Sequence, residues 1–175
     1  MSDNSSVDKY IEWVLNKIEQ IQIYTSKLNK KDININDIKE VVSQRLHVTN
    51  ILNSEYQRYR TQLTVAKRNY NIWWSTRFTE KRRELNPSSL PGSKWSSKND
   101  IDAEIISSYK EEYIKYQEHI DFLEERTSFL RRLMTDWNSI SFDCNSLIKL
   151  LEMEVYQLSM ISEDNTKQRR QRSTN

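Results

Sequence analysis

The chain is 175 residues long, enough for a domain with a buried core, and its 27 basic and 25 acidic side chains leave a net charge of only +2. It holds one cysteine, Cys144, while its one glycine and two prolines, Gly92, Pro87 and Pro91, all fall within residues 87–92. These counts exclude an intramolecular disulfide, a multi-cysteine metal site and a glycine-rich phosphate loop, and outside 87–92 they leave no strong helix breaker.

Residues 1–6 read as a frayed start, with Ser5 or Ser6 as N-cap. Val7, Ile11, Val14, Ile18, Ile21 and Leu28 then recur at spacings that place them on one seam, which predicts an amphipathic helix over about 6–29. The acids Asp3, Asp8, Glu12 and Glu19 argue against a signal peptide, and no apolar run is long enough to span a bilayer. A reducing, cytoplasmic setting is the expectation.

The stretch NKKDININD, residues 29–37, breaks the first helix, and Asn34 or Asn36 is expected to cap the second. That helix is predicted over 37–85 on the heptad seam Leu52, Tyr56, Tyr59, Leu63, Ala66, Tyr70 and Trp73, which Ile38 and Val42 extend backwards past interruptions at Arg45 and Thr49. The loop NPSSLPGSKWSSKN, residues 86–99, turns the chain.

A third helix is predicted from Asp100 to about Met160, capped by Ser97 or Asn99. Its seam runs from Ile106, Tyr109, Tyr113 and Tyr116 through Trp137 and Cys144 to Leu151, Val155 and Leu158 without a slip, a coiled-coil signal in which Cys144 reads as core. Residues 161–175 lack a core pattern and read as a disordered basic tail.

A short loop between long helices makes an antiparallel hairpin in which residue i lies near residue 185 minus i. The first helix then folds back beside residues 38–59 and 126–147. A second stripe, Phe122, Phe129, Leu133, Ile140, Leu147 and Leu150, lies where that helix would cover it. The expected fold is therefore all-α: one domain over 1–160, a long antiparallel helical hairpin with the N-terminal helix completing a three-helix bundle at one end. Any uncovered part of the stripe is free for self-association.

Charge is unevenly placed. Residues 64–98 carry Lys67, Arg68, Arg77, Lys81, Arg82, Arg83, Lys94 and Lys98 against Glu80 and Glu84, whereas the return segment 100–125 carries nine acids against Lys110 and Lys115. Two readings stay open. The charges pair between helices and set the register, or the basic helix turns its surplus outward. Trp74 sits about 100° round from the seam residue Trp73, and Trp95 lies in the loop. Exposed aromatics among cations suit single-stranded nucleic acid, whose bases stack while lysine and arginine neutralise phosphates. The same tryptophans suit a neighbouring subunit. His47 and His119 have no partners at metal-ligand spacing, so no enzyme, metal or cofactor is expected.

The order of a basic aromatic helix (YNIWWSTRFTEKRREL), a loop with a tryptophan (SKW) and a long return helix (DIDAEIISSYKEEYIKYQEHI and onward) resembles the UvsY-type recombination mediators of tailed phages, over roughly residues 50–152. The chain departs from that family in its longer N-terminal helix, its basic tail, and WNSISFD where the family tends to have an Arg-Gly-Phe-like turn. The resemblance implies a ring-forming mediator of DNA recombination and repair. Such a protein binds single-stranded DNA and loads a RecA-like recombinase onto strands covered by a single-stranded-DNA-binding protein. Carried over by position, Lys67, Arg68, Arg77, Lys81, Arg82, Arg83 and Lys94 become phosphate contacts. Tyr70, Trp74 and Trp95 become stacking or subunit contacts. Assembly falls to the apolar return helix, at Phe129, Leu133, Ile140, Leu147, Leu150, Leu151 and Leu158. The alternative is a structural coiled-coil component of a virion, scaffold or adaptor that binds no nucleic acid.

Overall fold

The computed structural model describes residues 4–27, 33–85 and 96–172, with side chains over 7–26, 33–85 and 96–160. Four helices, α1 (Asn4–Lys27), α2 (Ile35–Leu85), α3 (Lys98–Ser108) and α4 (Lys110–Arg172), make an all-α helical hairpin, and the described residues contain no strand. Among them no helix is long and apolar enough to cross a membrane. Ser5, Ser6 and most of the loop, including Lys94 and Trp95, lie outside the residues whose side chains are described. The helix α4 continues to Arg172, past the end expected near Met160; nothing between Met160 and Arg172 is a glycine or proline that would stop it.

Contacts divide the chain into two compact units, Met1–Leu52 with Arg132–Asn175, and Asn53–Arg131. The first is a three-helix bundle. Ile11, Val14, Ile18 and Ile21 of α1, Ile38, Val41, Val48 and Leu52 of α2, and Leu133, Trp137, Ile140 and Cys144 of α4 are its buried apolar residues. Its one buried polar side chain among the described residues, Ser141, is satisfied: Oγ donates to the carbonyl of Trp137 at 2.8 Å. Asn34 is the cap of α2, its Oδ1 accepting from the Asn36 amide at 3.0 Å.

A polar clamp fixes α1 on α2. Asp37 accepts from the Tyr24 hydroxyl at 2.8 Å and from Lys17 Nζ at 3.2 Å, while Lys17 also reaches Glu40 at 2.7 Å. Farther along, the Tyr10 ring meets His47 edge-on at 6.1 Å. The pairing is thus shifted from the expected overlap with 38–59 toward the start of α2, with Tyr10 at His47, Lys17 at Asp37 and Glu40, and Tyr24 at Asp37. The end of α1 overhangs the start of α2, since Asp37 sits between Lys17 and Tyr24.

The clamp has a pH signature. The Tyr24 hydrogen bond, and after it Lys17, hold the Asp37 carboxyl below its ordinary value against the opposing push of burial. A carboxylate depressed on folding contributes stability that is present above the unfolded value, about 3.9, and lost as pH falls through the native value. Urea unfolding at pH 7 and pH 3 should therefore show a larger acid loss for the wild type than for Asp37→Asn. Equal losses would mean the clamp does not hold α1 in solution.

The second unit is an antiparallel pair, α2 against α3 and the first part of α4. Ala66, Ile120 and Leu123 are buried at its centre, with Tyr59, Leu63 and Tyr70 packed on them. The register is the expected one. Trp73 meets Glu112, Lys81 meets Glu104 and Arg126 lies over Tyr59, each pair obeying the relation of i to 185 minus i. Ser97 caps α3 through a capping box: its Oγ accepts from the Asp100 amide at 3.2 Å, and its own amide donates to Asp100 Oδ2 at 3.0 Å.

The return helix is not continuous. It breaks at Tyr109 (φ −122°, ψ 34°), directly after Ser107 and Ser108. The break also corrects the seam: Ile105 is fully buried, whereas Ile106 is 38% exposed. The inward residues are Ile101, Ile105, Tyr109 and Tyr113. Three successive four-residue steps carry a straight helix about 120° away from its partner. The bend at Tyr109, placed after a serine pair of weak helix propensity, restores the facing.

Candidate nucleic-acid interface

The residues expected to meet a strand fall into two groups, and their place on α2 decides which. Arg77 and Lys81 follow Trp73 at four-residue steps, so they continue the buried seam instead of leaving it. Arg77 binds Glu80 at 2.9 Å and Glu112 at 3.7 Å, and its guanidinium lies 4.3 Å from the centre of the Tyr109 ring. Lys81 bridges Glu84 at 2.8 Å and Glu104 at 3.8 Å. The hydrogen bond to Glu84 holds its ammonium above the ordinary lysine value. Both cations face the return helix rather than solvent. Their spacing from Trp73 was the signal for this.

Tyr70 and Trp74 also pack inward. A cluster of six aromatics joins the two arms: Tyr70, Trp73 and Trp74 from α2, Tyr109 at the break, and Tyr113 and Tyr116 from α4. Tyr70 stacks on Trp73 at 5.9 Å and touches Trp74, Tyr113 and Tyr116 within 6.4 Å. Burial pushes its hydroxyl above the ordinary tyrosine value. The Trp73 indole donates to Glu112 Oε2 at 2.6 Å. Trp74 lies 6.2 Å from Tyr113 and is half-buried, so only part of its ring is open to a base.

The remaining cations are on the surface. Lys67 is half-exposed and pairs with Glu124. Arg68, Arg82 and Arg83 are exposed. Beside Arg68, the residues Thr64, Asn71, Ile72 and Ser75 line a shallow groove along α2. No acid lies between Glu55 and Glu80 on this helix, so the outer field is positive over about six turns.

The assembly residues divide in the same way. Leu133 and Ile140 are buried in the three-helix unit and present no surface, a correction whose cause is the cover provided by α1. Phe129, Leu147 and Leu151 are partly covered, and Arg126 lies over the Phe129 ring at 5.6 Å. Leu150 and Leu158 are exposed, as are Met153, Val155 and Tyr156 on the same part of α4.

Among the described residues no group of histidine, cysteine and carboxylate side chains could hold a metal. Burial pushes the Cys144 thiol up to about 11, which keeps it neutral and unreactive at physiological pH. No protein-family model, curated protein or solved structure matches this chain.

Proposed function

We propose that this protein is a non-enzymatic, oligomeric, single-stranded-DNA-binding mediator of recombination. In this reading it acts in the cytoplasm of a phage-infected cell and helps load a RecA-like recombinase onto DNA covered by a single-stranded-DNA-binding protein. The observation that carries the reading is the outer side of α2, where Arg68 is exposed on an acid-free stretch that also bears the half-open ring of Trp74, and Arg82 and Arg83 are exposed just beyond it. Phosphates neutralised along such a side need no base readout, which suits binding without sequence preference. The partners rest on the resemblance to UvsY-type mediators alone.

A second reading has its own support. Lys67, Arg77 and Lys81 are engaged by Glu124, Glu112 and Glu104 of the return arm, as expected for a structural coiled-coil protein whose charges set helix register. Fluorescence anisotropy of a labelled single-stranded oligonucleotide across a salt series, with duplex as competitor, separates the two. The mediator reading expects preference for single strands, steep weakening with salt, and a salt slope lowered by about one unit in Arg83→Ala. Absence of binding at low salt would leave the coiled-coil component.

A further inference from the structure

The two outer faces of the second unit, Asn53–Arg131, are complementary to each other. On α2, the side turned away from the return helix carries Arg68 and the exposed apolar residues Val65 and Ile72 (41% and 58% exposed). On α4, the side turned away from α2 carries Glu111, Glu118, Asp121, Glu125 and one lysine, Lys115, with Ile114 and Phe122 exposed among them (38% and 56%). None of these six charged residues joins the ion pairs formed among the described residues. The α2 face thus carries an unmatched arginine and the α4 face four unmatched acids against one lysine, each beside two uncovered apolar side chains.

The two faces also agree in register. Within the chain, residue i of α2 stands opposite residue 185 minus i of the return arm. A second copy set beside the first at the same height and in the same orientation brings its α4 against the first copy's α2 under that relation. Arg68 then stands within one residue of Glu118, Ile72 within one residue of Ile114 and Val65 within two residues of Phe122. Arginine meets glutamate and apolar meets apolar, each to within two residues of that relation. The seam residues of each helix lie on the opposite side from its stripe, so one copy can use both faces at once.

We infer that the hairpin arms of neighbouring copies dock side by side, the basic outer face of α2 on the acidic outer face of α4. Such a contact is heterologous: it joins two different surfaces, and repeated it gives a ring where the rotation closes and a filament where it does not. Charge complementarity sets orientation and register, and the apolar pairs supply burial at the centre. The occupant is a second copy of this chain; the contact takes Arg68 out of the nucleic-acid surface and leaves Arg82 and Arg83 to a strand.

The test is the mass of the full chain in nucleic-acid-free solution, by light scattering after size exclusion and by sedimentation equilibrium. The wild type should run as a multiple of 21.1 kDa at low salt and dissociate as salt screens the pairs. Arg68→Glu and Glu118→Arg should each weaken association by about tenfold or more, by setting like charges opposite one another. The chain carrying both changes should recover assembly, because the pair is restored with its sign reversed. Unchanged helical content and melting in the single variants separate this from misfolding. A wild-type monomer at every salt, single variants of undiminished mass, or failure of the double variant to recover would each overturn the inference. An α2 face used for nucleic acid alone would appear as loss of oligonucleotide binding in Arg68→Glu with no change of mass in either single variant.

Discussion

Replacing Trp137 by alanine should destabilise the three-helix unit by about 3–5 kcal/mol, the range for truncating a large buried aromatic. Trp137 has no exposed surface, its ring lies 6.1 Å from that of Trp13, and its indole N–H reaches the Arg45 carbonyl in a long bond of 3.4 Å. It therefore touches α1 and α2 from α4, and its loss opens a cavity between all three helices. Set against a total stability of about 5–15 kcal/mol, that is a large fraction. Urea unfolding followed by circular dichroism should show a midpoint moved well down. Trp137→Phe, which keeps a ring but loses volume and the N–H, should fall between the two. A loss below about 1 kcal/mol in the alanine variant would mean that α1 does not pack against this residue in solution.

Tyr70→Ala should cost the second unit about 2–4 kcal/mol, less than full burial would give because the ring is only half-buried. The reason is its position among Trp73, Trp74, Tyr113 and Tyr116, all of which lose a neighbour at once. Tyr70→Phe keeps those ring contacts and should cost about 1 kcal/mol or less. Tryptophan fluorescence during unfolding reports the change directly, since Trp73 and Trp74 flank the site. This residue also separates two interpretations of a binding defect. If Tyr70→Ala weakens oligonucleotide binding only in proportion to unfolding, its ring is structural. If Tyr70→Phe stays stable and binding still falls, the hydroxyl touches the ligand.

Much of the fold was legible because long helices leave a repeating mark. The seam Leu52, Tyr56, Tyr59, Leu63, Ala66, Tyr70 and Trp73 is buried or half-buried throughout. The loop length placed the two arms antiparallel in the register that Trp73 and Glu112 display. Periodicity failed at Ile105 and Ile106. Both are apolar and adjacent, so either continues the pattern, and the choice depended on a bend at Tyr109. It failed again at Trp74, whose position one step off the seam suggested exposure. A tryptophan is wide enough to reach Tyr113 from there.

The candidate site was legible as composition and less so as surface. Counting charges located the basic helix and the acidic return arm. Arg68, Arg82 and Arg83 stayed outside, whereas Arg77 and Lys81 turned in to Glu112 and Glu104. A long flexible cation can bury its stem along an aromatic and still place its charge on a carboxylate, so its direction follows from neighbours more than from its own sequence position.

The sequence by itself determined the helical class, the hairpin and the register of its two arms. These depend on residue spacing and on which residue types are present, and both are local properties of the chain. Only the tertiary structure decided which apolar stripe was covered, burying Leu133 and Ile140 under α1 while leaving Leu150 and Leu158 exposed. It also decided which cations were spent on the return arm. Burial and charge pairing are properties of two surfaces brought together. A periodic pattern states that a face needs a partner, and packing alone selects it.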